Sequence, residues 1–279
     1  MNESPSSVKL VKSVARTIDL MMLFVQSSHY LTLQDICDLM KIPKSSAFEL
    51  LHTMVRKGLV EYKSEDHRMY GLSIMAFEIG SSVAERIGVT DIARPYLQEL
   101  NRTTGGTVFL GIEDHGMVVY LDRAEDHSVV KATAKLGSRR HLHTTSLGKA
   151  ILYAHPNDEV LSLLGSEPYP INTPMSHTTS VEVLKDAAVS RRRGYTVDDR
   201  EDGENMFCIG CAIRDRTGNA VAAISVASIY SLMNSRKEEL ISKHVIDTAL
   251  EISRKLGFMG TSIYDNHTLI GERGERAGL

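Results

Sequence analysis

From Ser13 the chain leaves a short run of small polar residues and takes up a helical rhythm. Val14, Ile18, Met21, Met22 and Val25 recur at three- and four-residue spacing and predict an amphipathic helix over 13–26. Ser27, Ser28 and His29 interrupt it. Thr32 then reads as an N-cap, with Asp35 three residues on as its capping-box acid. Leu33, Ile36, Leu39 and Met40 line the short helix that follows. Pro43 punctuates the start of a third helix over 44–57, which puts Ala47, Leu50, Leu51 and Met54 on one face. Gly58 ends it after the basic pair Arg56 and Lys57. Two alternating segments, 59–63 and 68–72, are joined by polar Ser64, Glu65, Asp66 and His67 and predict a hairpin.

Three short helices and a hairpin make the plan of a winged helix-turn-helix. Beyond it, Ile74, Phe77, Ile79 and Val83 predict a linker helix, and 89–104 a further helix kinked or started at Pro95 and stopped by Gly105 and Gly106. At Thr107 the period changes to two. The segments 107–113 and 117–123 form a hairpin about Asp114, His115 and Gly116, and 128–136 reads as a third strand. Helices are expected over 147–155, 158–164 and 181–193, a second hairpin over 208–214 and 220–228, and a closing helix over 236–256. The class is therefore α+β with an antiparallel sheet in the larger part. The divisions are a head (1–72), a linker (73–88), a larger domain (89–258) and a tail (259–279).

Composition narrows the functions. With 279 residues, 42% hydrophobic, 24% charged and a net charge of −3, the chain is neither disordered nor a uniformly basic nucleic-acid binder. A local basic site survives, since residues 1–72 hold nine Lys or Arg against eight Asp or Glu. No apolar run approaches the roughly 18 residues that cross a membrane. The first residues lack a signal-peptide pattern, and three cysteines make no disulfide framework. A cytoplasmic chain with no membrane partner is expected.

The second helix of a helix-turn-helix enters the DNA major groove. Here that helix offers Lys44, Ser45 and Ser46 at its start, then Phe48, His52 and Arg56 on the exposed side. Glu49 repels phosphate but can accept from cytosine N4. Lys63, His67 and Arg68 in the wing, with Lys9, Lys12 and Arg16 upstream, are candidate phosphate contacts. In the larger domain, the polar loop from Gly137 runs through His141, His143 and Thr144 into a helix start. There the N–H groups from Thr145 to Gly148 suit a small anion, or simply make a capped helix end. Cys208 and Cys211 fall on opposite strand faces and read as buried small residues, not metal ligands. The acidic run Asp198, Asp199, Glu201, Asp202 and Glu204 reads as solvated surface. No metal or cofactor set is apparent.

Several blocks, in order, resemble the IclR family of bacterial transcription regulators. They are Ser13-Val14-Ala15-Arg16, Ile42-Pro43-Lys44-Ser45-Ser46, Gly58-Leu59-Val60, Tyr70-Gly71-Leu72, the run from His141 to Leu152, Arg193-Gly194-Tyr195, and Cys208-Ile209-Gly210 through Ala222 to Ser225. The resemblance implies a winged-helix DNA-binding head, a dimerising linker helix and a GAF-like effector-binding domain. The implied partners are a double-stranded DNA operator, a small organic-acid effector and a second copy, in homodimers that pair into tetramers. It implies an effector held by Asp198, Cys208, Ser225 and position 227, with Thr145, Ser146 and Leu147 at the helix start. Ala227 lacks the hydroxyl found in glyoxylate-sensing relatives, and Glu49 stands where the family usually has Arg. The implied function is a regulator, with repression favoured over activation. The rivals are a winged-helix protein-interaction adaptor and, with no base paired to Cys208, a small-acid hydrolase.

Overall fold

The computed structural model describes residues 10–27, 29–63, 68–125 and 134–264, without the side chains of 81–87. Lys9, the wing residues 64–67, most of the strand expected over 128–136, and the chain after 264 lie outside these. Two compact units meet in sequence between Arg86 and Ile87.

The first unit holds α1 (Lys12–Gln26), β1 (Leu31–Thr32), α2 (Leu33–Met40), α3 (Lys44–Arg56), β2 (Val60–Tyr62), β3 (Met69–Leu72) and α4 (Ile74–Ile87). The capping box expected at Thr32 is present: its hydroxyl accepts from the Asp35 N–H, and the Asp35 carboxylate accepts from the Thr32 N–H at 2.8 Å. A two-residue strand, β1, joins the expected hairpin to make a sheet of order β1-β3-β2. The core is Leu20, Leu31, Ile36, Ala47, Leu51, Met54, Val60 and Tyr70. One expectation is corrected here. On α1 the core takes Leu20 with Met21, Leu23 and Phe24 beside it, whereas Val14, Ile18, Met22 and Val25 are exposed. The helix carries two apolar stripes, and the small core of this unit covers only one.

The second unit runs α5 (Val89–Thr104), β4 (Thr107–Asp114), β5 (Met117–Ala124), β6 (Arg139–His141), α6 (Ser146–Leu152), α7 (Asn157–Leu164), α8 (Ser180–Arg193), β7 (Thr196–Asp199), β8 (Met206–Arg214), β9 (Ala220–Ile229) and α9 (Ser235–Lys255). One antiparallel sheet of order β6-β5-β4-β9-β8-β7 spans it. Strands β8 and β9 are buried on both faces, with α6 over one face and α5 and α9 over the other. Pro95 neither starts nor ends α5, which runs through it. The third strand of the sheet's far side is β6, not the expected 128–136: residues 134–136 are not strand, and Arg139–His141 pairs with β5 instead.

The expected tail begins later than 259. Phe258, Ile263 and Tyr264 are buried, and the Tyr264 hydroxyl donates to the Ala150 carbonyl at 3.1 Å and accepts from the Ala212 N–H at 3.2 Å. Gly-rich composition after Gly257 hid these anchoring side chains.

Candidate functional site

On α3, Ala47, Leu51 and Met54 face the core, which leaves Lys44, Ser45, Phe48, Glu49, His52 and Arg56 exposed and Ser46 half-buried. The rings of Phe48 and His52 stack one turn apart, with centroids at 6.0 Å and planes at 22°. Arg16 and Glu49 line the same 680 Å³ groove between α1 and α3, along with Lys12, Ser46, Thr53 and Lys57. Glu49 therefore stands among three cations. At the end of β2, Lys63 is paired with Glu61, and its ammonium sits 5.4 Å from the centre of the Tyr30 ring. Arg68 is exposed at the start of the returning strand.

In the second unit, sheet register brings distant residues together. Asp198 pairs with Cys208, Cys208 with Ala227, and Ala227 with Thr107, so one row crosses four strands. The next row on that face runs from Thr196 through Gly210 and Ser225 to Phe109. These rows floor a cavity of about 270 Å³, walled by Tyr120, Arg140, Asp202, Gly203 and Met206 and by Thr145 and Ser146 at the start of α6. Of the expected residues, Thr145, Ser146, Asp198, Cys208, Ser225 and Ala227 all line it. The Leu147 side chain is buried instead, and a Cβ on Gly111 would lie 2.6 Å from its methyl. Cys211 turns away toward the Gly194 carbonyl.

Alpha-6 can lie this close because the strands beneath it are bare. A Cβ on Gly210 would come within 2.5 Å of the Ser146 carbonyl oxygen. The Thr145 hydroxyl caps the helix by accepting from the Gly148 N–H at 2.9 Å. The N–H groups of Ser146 and Leu147, in the first turn, have no partner within the helix itself. Thr144, in the loop just before the helix, donates to Asp202 at 3.2 Å.

The acidic run is solvated only in part, which corrects the sequence reading for two of its five members: Glu204 is exposed and Asp199 and Asp202 are half-buried. Asp198 and Glu201 are buried. Asp198 accepts from the N–H groups of Glu201 (2.7 Å) and Asp202 (3.3 Å), yet burial pushes its carboxyl up to about 7. The same burial, with Asp198 beside it, raises the Cys208 thiol well above its ordinary range. Glu201 is pushed up by burial to about 8, although it meets the Lys149 ammonium at 2.5 Å. Lys149, on α6, is 0% exposed and also contacts Asp186 at 2.9 Å and the Val197 carbonyl at 3.1 Å. Burial opposes the ionisation of Asp186, but Lys149 and the Tyr153 hydroxyl at 2.9 Å hold its carboxyl below the ordinary value. His177 approaches both carboxylates at 3.8–3.9 Å, and burial together with Lys149 lowers its proton affinity.

The sequence reading missed Lys149 as a tie between the loop after β7 and α6. It also missed Phe109, Tyr120, Arg140, Asp202, Gly203 and Met206 as pocket walls. Tyr120 could have been placed by alternation from Val118 on β5, but only the register puts it edge-on to Phe109, with centroids at 5.1 Å. The His141 and His143 rings are 5.6 Å apart, and among the described residues no cluster of His, Cys, Asp or Glu could hold a metal ion. No described helix is long and apolar enough to cross a membrane.

Residues 13–64 match the IclR helix-turn-helix domain, and residues 81–254 match the bacterial transcriptional regulator IclR C-terminal domain. The chain is 32% identical over 246 residues to the HTH-type transcriptional regulator BhcR of Paracoccus denitrificans (strain Pd 1222), covering 87% of this chain and 86% of that one. It is 29% identical over 253 residues to the HTH-type transcriptional repressor AllR of Escherichia coli (strain K12), covering 91% and 93%. The crystal structure of Thermotoga maritima IclR superposes with a TM-score of 0.77 at 28% identity, over 89% of this chain and all of that one. An IclR homologue from Microbacterium hydrocarbonoxydans, complexed with 4-hydroxybenzoate, has the same fold, with a TM-score of 0.72 at 22% identity over 87% and 99%.

Proposed function

The chain belongs to the IclR family of helix-turn-helix transcriptional regulators and is not an enzyme, and on that premise we propose that it is a repressor whose grip on DNA is set by a small organic acid. The observation that carries the proposal is the pocket at the start of α6. Its floor offers the Ser225 hydroxyl and Asp198, whose carboxyl burial pushes up to about 7, and its wall offers a helix N-terminus. A carboxylate is the ligand such a terminus favours. A volume of about 270 Å³ limits it to a small molecule. Ala227 contributes no hydroxyl, so Ser225, in the neighbouring row, is the strand hydroxyl that lines the pocket, and the favoured ligand is an acid that needs one fewer donor there than glyoxylate. The Microbacterium homologue, with its aromatic acid, supports the ligand class.

In the head, α3 lies in the major groove. Lys44, Ser45 and Ser46 meet it first, Phe48, Glu49, His52 and Arg56 follow, and Arg16, Lys63 and Arg68 reach the backbone. Two copies bind, paired through α4 and the open stripe of α1. Ile74, Phe77 and Ile79 on α4 and Val14, Ile18 and Met22 on α1 form exposed apolar surface of the kind that marks an interface. Such a pair places two heads on half-sites about one helical turn, or a multiple, apart. Dimers pairing further into tetramers is part of the same proposal. The effector acts only through its differential affinity for the DNA-bound and free arrangements.

The test joins two measurements on the full chain. Mobility shift on DNA upstream of its own gene should show salt-sensitive, sequence-selective binding. Thermal denaturation against a panel of small carboxylic acids should show a raised midpoint with at least one of them. A retarded band with no preference over scrambled DNA would sink the regulator's operator reading. A flat thermal panel would sink the acid pocket.

A further inference from the structure

We infer that Phe48, held by His52, reads a thymine 5-methyl group in the major groove, so that each half-site carries a T·A pair at that step. The inference rests on the groove-entering role proposed for α3.

Phe48 is 52% exposed on a helix whose other large apolar side chains are buried (Leu51, Met54) or half-buried against the core (Leu50, Val55). Its position is outside the core face, so folding does not use its ring. The ring nonetheless has a brace, because the His52 ring one turn later stacks on it, with centroids 6.0 Å apart and planes at 22°. A side chain ordered before binding loses little rotamer freedom on contact.

Charge along the helix says which part of the groove the pair meets. Lys44 and Arg56 stand at the two ends of α3, 12 residues and therefore about 18 Å apart along the axis. The major groove is about 12 Å wide. The two cations thus reach the phosphate rims while the middle of the helix lies over the base edges. That middle presents Phe48 and His52.

A phenyl ring has no donor or acceptor, so it cannot read N7, O6, N6 or N4. The apolar feature that a base pair offers in the major groove is the C5-methyl group of thymine. Ring against methyl therefore distinguishes T from C, whose edge bears a hydrogen at that carbon. In this arrangement Phe48 makes the contact and His52 is a positioning residue.

The experiment starts from in vitro selection of sites out of a randomised duplex library with the full chain. Each thymine of the enriched site is then replaced singly by deoxyuridine, which deletes only the methyl. A single deoxyuridine at that step should weaken wild-type binding about fourfold, the value of one buried methyl-sized group, and one in each half-site about fifteenfold. Phe48→Ala should bind that site and its deoxyuridine form alike, and Phe48→Leu, which keeps an apolar contact, should still tell them apart. His52→Ala should blunt the methyl effect and His52→Phe restore it. Circular dichroism guards against misfolding, of which a half-exposed position carries little risk. Enriched sites at which no deoxyuridine matters, or at which Phe48→Ala stays as sensitive as wild type, overturn the inference alone. A pool with no enriched sequence overturns the groove-entering role and the inference with it.

Discussion

The two candidate sites are built in opposite ways. On α3 the candidate side chains come from one short helix, all but half-buried Ser46 are exposed, and they stand beside, not within, the core of Ala47, Leu51 and Met54. In the second unit the candidate side chains come from β4, β5, β7, β8, β9 and α6, and Asp198, Ser146, Ser225 and Cys208 are themselves buried. The first site can change without touching the fold. The second is part of the fold, so its chemistry and its stability share the same atoms. A surface that must adapt to many operator sequences suits the first design, and a pocket that must exclude water from one small ligand suits the second.

The strongest challenge to that contrast is Lys149→Met. It removes the fully buried cation that Asp186 and Glu201 share, and leaving a buried carboxylate unpaired is costly. The sensor unit should lose about 3–5 kcal/mol, the usual cost of removing one partner of a buried pair. Urea titration followed by circular dichroism would measure it. A variant as stable as wild type would show that the cluster is neutral in the folded chain. Next comes Gly210→Ala, whose Cβ would lie 2.5 Å from the Ser146 carbonyl. Alpha-6 must then lift from the sheet, at about 1–3 kcal/mol for overpacking. Because that helix start also walls the pocket, the thermal response to a bound acid should fall with stability. Loss of one without the other would separate what the structure joins.

The same contrast explains what could be read from the sequence. The head was legible because its elements are local. Thr32 and Asp35 are three residues apart, Gly58 follows the basic pair, and the wing strands are neighbours in the chain. Even there, α1 shows that periodicity finds an apolar stripe without saying which partner covers it: Val14, Ile18 and Met22 were as regular as the residues that became core. In the sensor the hairpins were legible but the pocket was not. Asp198 meets Cys208, Ala227 and Phe109 only through the order β7-β8-β9-β4, and no local signal encodes that order. Family resemblance supplied Asp198, Cys208 and Ser225, but it could not show that Glu201, in a run of acids, turns inward to Lys149. Composition made that run look wet.

A smaller and subtler break comes from Asp198→Asn, read against pH. The folded carboxyl ionises near 7, whereas the free group ionises near 3.8. Between those values the unfolded chain has released a proton that the folded chain still holds. The stability Asp198 contributes is therefore present in full below about 3.8 and lost as the pH climbs to about 7. Above 7 the ionised carboxylate also repels an anionic effector, whose affinity should fall by on the order of tenfold per pH unit. Asn carries no such charge, so both slopes should flatten in the variant. Thermal midpoints between pH 4 and 9, with and without an acid that raises them, provide the comparison. Parallel curves for the two proteins would mean that Asp198 is ionised throughout.

The smallest expected effect on stability tests the other side of the contrast. Lys44 is exposed at the first turn of α3, and among the described residues no ion pair or side-chain hydrogen bond holds it. Lys44→Ala should move the denaturation midpoint by no more than the ±0.5 kcal/mol or so typical of surface changes. Its effect on DNA should be plain all the same. One fewer neutralised phosphate per head, two per bound pair, lowers the slope of log affinity against log salt by about two, and binding weakens on all sequences alike. The salt titration thus separates a phosphate contact from a base contact, because a base contact would change sequence preference and leave the slope alone. If Lys44→Ala shifted stability as much as affinity, the head would be built like the pocket, and a separable reading surface on a fixed core would be the wrong description of α3.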